Sequence, residues 1–225
     1  MRILALDAAL ARCSAAVVVD GDVAALRQGA GGRGQPATLP VMVREVLAQA
    51  GLKAEALDGV AVTVGPGSFT GLRAAIALAQ GIALSAGRPV VGVTVGEALA
   101  DRLTMSLRGR ALWVAIDSRR GRIFLQRGME SAILPMVLDA LPPADGPVAV
   151  AGDAAVEVSA RLAARGDNVM LTDARLPEAM HVAAVGARRL LGQIAPCPAQ
   201  PIYVDPPEAK LPAGGLRPAP DSLLA

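Results

Sequence analysis

Aromatic side chains are scarce in this chain: two Phe, one Tyr and one Trp make up 2% of its 225 residues. Proteins that hold single-stranded nucleic acid stack its bases on aromatic rings, and so few rings supply no such platform. Charge does not replace it, because 22 basic against 20 acidic residues leave a net charge of only +2, too little to grip a phosphate backbone alone. Histidine occurs once. A Ser–His–Asp triad would have to recruit His181, and no strained serine turn is present to receive it. The two cysteines, Cys13 and Cys197, belong to no C-x-x-C pair, which argues against zinc and dithiol chemistry and for two reduced thiols. No basic-then-apolar leader opens the chain, since Met1-Arg2 runs straight into Ile3-Leu4-Ala5-Leu6. The most apolar run, Ala74 to Leu84, contains Gln80 and falls short of the ~20 residues of a membrane span. A cytoplasmic, soluble protein without membrane association is the expectation.

What the chain does have is aliphatic: 53% of residues are hydrophobic, chiefly Ala, Val and Leu, enough for one large domain or two small lobes. Its most distinctive stretch is Gly65-Pro66-Gly67-Ser68-Phe69-Thr70-Gly71-Leu72-Arg73. Before it, Gly59 to Val64 is apolar and β-branched and reads as a buried strand; after it, Ala74 to Ala86 reads as a helix. The nine residues are therefore a strand-to-helix turn. Its three glycines permit positive φ or close backbone approach, Pro66 fixes one φ, and Ser68 or Thr70 can cap the helix. A helix N-terminus suits a phosphate, but the spacings fit no known cradle. No Lys follows Gly71 as in a Walker loop, the third position of a Gly-x-Gly-x-x-Gly fingerprint is Thr70, and Gly-x-Ser-x-Gly is absent. The other reading of the turn is structural: it brings a helix close to a sheet.

Along the chain, Ile3 to Leu6, Ser14 to Val19 and Val23 to Arg27 form a three-stranded meander turned at Asp20-Gly21-Asp22. The glycine-rich loop Gly29 to Gly34 leads to a helix, Pro36 to Ala50, with Leu39, Met42, Val43, Val46 and Leu47 on one face and Gly51 at its end. The strand and helix around the signature follow, then a strand at Pro89 to Val93 and a helix at Val95 to Leu103. The order βββαβαβα predicts an α/β lobe in which antiparallel strands lead into parallel ones. In the second half, Ala111 to Ile116 and Arg122 to Arg127 flank the charged turn Asp117-Ser118-Arg119-Arg120-Gly121. Val148 to Ala151 leads into Gly152-Asp153-Ala154, and helices follow at Val156 to Ala164 and Pro177 to Gln193. From residue 196 onward prolines punctuate an extended segment. The expected divisions are 1–107, 108–195 and 196–225, with disorder beyond Pro212.

The string Gly-Pro-Gly-Ser-Phe-Thr-Gly-Leu-Arg at 65–73 resembles the signature of the TsaB (YeaZ) family. The turn Asp117-x-Arg119-x-Gly121, the Gly152-Asp153-Ala154 turn and the segment Pro201-Ile202-Tyr203-Val204-Asp205-Pro206-Pro207-Glu208-Ala209-Lys210 resemble further elements of that family. The resemblance implies an actin/sugar-kinase-like fold of two lobes. It also implies a non-catalytic role beside TsaD, which forms N6-threonylcarbamoyladenosine in tRNA next to the anticodon. The chain would then need no cofactor of its own, ATP being used by the complex. Its implied partners are a TsaD homologue in a heterodimer, the accessory ATPase TsaE and tRNA through the complex, with a homodimer when it is alone. A stand-alone kinase-like ATPase or glycoprotease-type hydrolase of the same superfamily is the alternative.

Three departures from the family pattern narrow these implications. ATP-using members of the superfamily end the first strand with Asp, then Gly and Ser or Thr. Here Asp7 is followed by Ala8-Ala9-Leu10, so Asp7 reads as a vestige of a phosphate hairpin or as a solvated strand-end carboxylate. The histidine many relatives carry before the first helix is Gln35, and the arginine of their closing segment is Asp205.

The partner surface is expected on the two first-lobe helices, because Leu72 to Ala86 is apolar or small almost all round, and such a helix is buried on more than one side. Leu39, Met42, Val43, Val46, Arg73, Ile76, Ala79, Gln80 and Ala83 are the candidate interface residues, with Ala75, Ala79 and Ala83 spaced for close helix approach. The competing reading is that the second lobe covers this helix.

Overall fold

Both faces of the first sheet are apolar, and each face carries its own helices. The computed structural model describes residues 1–29, 35–129 and 131–204, with the side chains of 35 and 36 excepted. Strands β1 (Arg2–Asp7), β2 (Cys13–Val19), β3 (Asp22–Gly29), β4 (Gly59–Gly65) and β5 (Val90–Thr94) form a sheet of order β3-β2-β1-β4-β5. β1 to β3 are antiparallel neighbours, and β4 and β5 join in parallel. The β2–β3 turn is made by Asp20 and Gly21, both at positive φ, which matches the right-handed twist of the paired strands.

Side chains alternate along β1. Leu4 and Leu6 face helices α1 (Gln35–Gln49) and α2 (Phe69–Ala86), while Ile3 and Ala5 face α5 (Ala179–Leu190). On the α5 side, Ala16, Ala5, Ala61 and Val91 lie in register across four strands. That low row lets α5 sit close: a Cβ on Gly186 would stand 2.4 Å from Cβ of Ala61. Buried Ser14 in β2 accepts the N–H of Ala179, the first residue of α5, at 2.9 Å. The division at 108 separates the two sheets, but α5, which follows the second sheet in the chain, returns to the first. Chain order alone does not show that return.

The second sheet has the order β10-β9-β6-β7-β8 and repeats the plan of the first. It is built from β6 (Ala111–Asp117), β7 (Ile123–Arg127), β8 (Ile133–Met136), β9 (Val148–Ala151) and β10 (Val169–Leu171), with α4 (Ala155–Ala164) packed on one face. The sequence reading missed β8 and β10. Both are edge strands of four residues or fewer, and β8 contains Pro135, a residue tolerated in sheets only where no ladder N–H is needed. Helix α3 (Val95–Leu103) links the sheets and opens on a capping box between Thr94 and Glu97.

Helix α2 is longer than the apolar run seen in sequence. Its 18 residues have a mean hydropathy of 1.3, enough by length and composition alone for a membrane-crossing helix. Its packing against β4 and α1 accounts for the apolar inner face, and the outer face is taken up below.

Candidate functional site

The signature turn is fitted onto the β1–β2 loop backbone to backbone. Ser68 donates its N–H to Ala9 O at 2.7 Å. A Cβ would stand 2.1 Å from Ala9 O on Gly67 and 2.1 Å from Ala8 O on Gly71. Neither glycine has positive φ; of the three, only Gly65 does, at +120°, ahead of a cis bond to Pro66. Ser68 rather than Thr70 caps α2, its Oγ accepting from Gly71 N at 3.2 Å. The turn therefore does what its structural reading predicts, and Ala8 and Ala9 fill the space at the helix start.

Asp7 is not solvated. It is fully buried, its Oδ1 accepts from Thr63 Oγ1 at 2.7 Å and from Ala9 N at 3.1 Å, and its Oδ2 has no hydrogen-bond partner. Burial raises its pKa to about 7, against the opposing pull of those two bonds and of the Arg12 charge.

Across the cleft, the β6–β7 turn is held by Arg119, at φ +60°. Its guanidinium pairs with Asp117 at 2.9 Å and with Asp153 at 3.0 Å, and Asp153 Oδ1 also accepts the N–H of Asp117 at 2.9 Å. Burial is the main cause of the raised pKa of Asp153, with the Asp117 N–H and Arg119 opposing it. Arg119 thus bridges two carboxylates of its own lobe while its side chain stays largely exposed.

Between these turns lies a cleft of about 840 Å³ lined by both lobes and by Pro201–Val204. Three of the four aromatic residues, Phe69, Phe124 and Tyr203, line it, so rings that look scattered in sequence converge in space. Residues 195–203 form a strap along the edge strand β5, the middle of α2 and the end of β4. Ala195 O accepts from Arg189 Nε at 2.7 Å, Cys197 O from Gly92 N at 2.8 Å and Ala199 O from Gln80 Nε2 at 2.9 Å, while Ile202 N donates to Val64 O at 2.8 Å. At its end, Tyr203 Oη accepts from Arg73 Nε and Nη2 at 2.9 and 2.8 Å, and the same guanidinium lies 3.5 Å over the Phe69 ring. Nothing in the sequence spacing joins residues 73 and 203. Asp205 and the rest of the closing segment lie outside the described residues, as do the side chain of Gln35 and residues 30–34.

The candidate interface residues divide. Leu39, Val43, Val46, Ile76, Ala79 and Ala83 are buried inside the first lobe, and Met42 is half-buried against Cys13. These cannot face a partner, which corrects the sequence reading: the alanine row at 75, 79 and 83 packs inward on the chain's own sheet and α1, not outward on another chain. Arg73 and Gln80 are exposed as expected. The outward stripe they mark comprises Arg73, Ala77, Gly81 and Leu84, with Leu84 84% exposed. An apolar helix offers several equivalent faces in sequence; packing selects one.

His181 lies away from the cleft. Its Nδ1 is 2.9 Å from Asp101 Oδ2, and Arg188 holds the other oxygen at 2.7 Å. Cys13 is buried and Cys197 half-buried, and no His/Cys/Asp/Glu cluster suited to a metal occurs among the described residues.

Comparison with known proteins places this geometry among relatives. The family described as "TsaD: tRNA N6-adenosine threonylcarbamoyltransferase" matches residues 33–187. The tRNA threonylcarbamoyladenosine biosynthesis protein TsaB of Escherichia coli is 36% identical over 124 residues, 55% of this chain and 53% of that protein. The match thus spans about half the length of the TsaB relatives and 19–34% of the length of the transferases. YeaZ from Pseudomonas aeruginosa superposes with a TM-score of 0.74 at 26% identity, over 90% of this chain and 99% of that one. Component A of the Acidaminococcus fermentans (R)-2-hydroxyglutaryl-CoA dehydratase shares the fold, with a TM-score of 0.52 at 11% identity over 85% and 99%. The two sheets of like order have the actin/sugar-kinase-like architecture.

Proposed function

The chain belongs to the family of the tRNA N6-adenosine threonylcarbamoyltransferase TsaD, as one of its TsaB (YeaZ) members, and on that premise we propose that it is a non-catalytic subunit in N6-threonylcarbamoyladenosine formation. In this reading it binds and activates a TsaD homologue, while ATP, TsaE and tRNA are engaged through the complex.

The observation that carries the proposal is the outward stripe of α2. Gly81 stands in mid-helix, where glycine is about 1 kcal/mol less favourable than alanine. Yet a Cβ there would meet nothing within 4 Å. Its own chain does not use the missing side chain; a second helix backbone crossing over Ala77 and Gly81 would. Leu84, exposed one turn further on, supplies apolar area to that contact. A non-catalytic role is supported by the hairpin after Asp7, where Ala8 and Ala9 replace a glycine and a hydroxyl and their carbonyls are packed against Gly71 and Gly67.

The test is reconstitution with the TsaD homologue, TsaE, ATP, threonine, bicarbonate, the threonylcarbamoyl-forming enzyme and tRNA. Modified tRNA is expected only when this chain and the TsaD homologue are both present. Equal yield without this chain would overturn the proposal.

A further inference from the structure

Arg73 is fixed in place without an acidic partner. Arg2, Arg12, Arg27, Arg102, Arg119 and Arg189 each pair with an Asp or Glu carboxylate. Among the described residues Arg73 has no such pair. Two hydrogen bonds to a neutral phenol oxygen and the face of Phe69 hold it instead. The phenol occupies the Nε–Nη2 side of the guanidinium and leaves its Nη1–Nη2 end, which matches the two oxygens of an oxyanion. Planarity and restraint mean that little side-chain freedom remains to be lost when that end is engaged.

Its position identifies what it reads. Arg73 heads the stripe that continues through Ala77, Gly81 and Leu84, at the rim of the cleft that it lines with Phe69 and Tyr203. The rest of the stripe is apolar or small, unlike a groove that tracks a phosphate backbone with several cations. We infer that Arg73, set by Tyr203 and Phe69, receives a carboxylate of the protein docked on α2, so that the strap at residues 195–203 completes the interface. Arg73 is the reading residue and Tyr203 the positioning one. The inference rests on the docking proposed above, and its test separates the two.

Affinity for the TsaD homologue is measured by calorimetry at 50 and 500 mM NaCl, on chains whose far-UV spectra and melting match the parent. Arg73→Ala is expected to weaken binding roughly tenfold or more at low salt, with a smaller ratio at high salt. Arg73→Lys restores only part of it, because an ammonium lacks the fork and the stack. Tyr203→Phe keeps the ring, releases the guanidinium and weakens binding severalfold. Ala77→Arg reports on docking itself. If Ala77→Arg abolishes the complex while Arg73→Ala binds like the parent, the carboxylate contact is wrong and docking stands. Should Ala77→Arg leave affinity unchanged, docking fails and this inference with it. Arg73→Ala that spares the heterodimer but weakens its hold on tRNA would make Arg73 a phosphate contact. Parent-like affinity of Tyr203→Phe beside a weakened Arg73→Ala would remove Tyr203 from the mechanism.

Discussion

A Cβ placed on Gly67 would stand 2.1 Å from the carbonyl oxygen of Ala9, well inside van der Waals contact. The neighbouring amide of Ser68 bonds that same oxygen at 2.7 Å, so the loop cannot retreat without losing the bond. Gly67→Ala is therefore expected to destabilise the chain by about 1–3 kcal/mol, the range for inserted bulk that backbone must yield to. Gly71→Ala, facing Ala8 O at the same distance, should fall in that range too. Urea unfolding checks both, and unchanged midpoints would remove close approach as the reason for these glycines.

Asp7 makes stability depend on pH. Its pKa is about 7 in the folded chain against 3.8 for the free side chain, so between those values the folded state holds a proton that the unfolded state releases. The contribution of Asp7 to stability is then fully present below about pH 4, is lost as pH rises toward 7 and is absent above it. At roughly 1.4 kcal/mol per unit, the total is on the order of a few kcal/mol. Asp7→Asn, which still accepts from Thr63, should flatten that part of the profile. Equal slopes for parent and variant across pH 4–7 would contradict the burial argument.

The two faces of α2 predict opposite behaviour of neighbouring alanines. Ala79 is fully buried, and Ala79→Arg should unfold or severely destabilise the isolated chain, because a charge would enter an aliphatic core without a partner. Ala77 is exposed, and Ala77→Arg should shift stability by no more than about 0.5 kcal/mol. Thermal melts of the two variants decide it; similar melting would mean that the helix is rotated about its axis relative to this structure.

The isolated chain is expected not to turn over ATP. Phosphate release from the purified chain should match a buffer blank, and release that disappears in Asp7→Asn would instead favour a stand-alone ATPase.

Much of the first lobe was legible in sequence because its signals are local. The Asp20-Gly21 turn, the strand before Gly65 and a cap at Ser68 or Thr70 each follow from a few adjacent residues, and the order βββαβαβα from such signals in series. Asp7 was legible as a strand end but not as a buried group, since its solvation depends on Thr63 and on the turn that covers Ala8 and Ala9. The proposed docking face was legible only as a helix. Leu39, Val43 and Ala79 satisfy the spacing of a docking face as well as that of a core face, and only contact with the sheet tells them apart. The pairing of Arg73 with Tyr203 spans 130 positions and leaves no mark in either local pattern.

The central claim is that the outward stripe of α2 docks the TsaD homologue, and gel filtration of the mixture with the Ala77→Arg chain tests it most directly. The account predicts a folded Ala77→Arg chain that elutes apart from the TsaD homologue under conditions where the parent co-elutes with it. Co-elution of the Ala77→Arg chain at the parent's position and stoichiometry would contradict the claim and place the interface elsewhere.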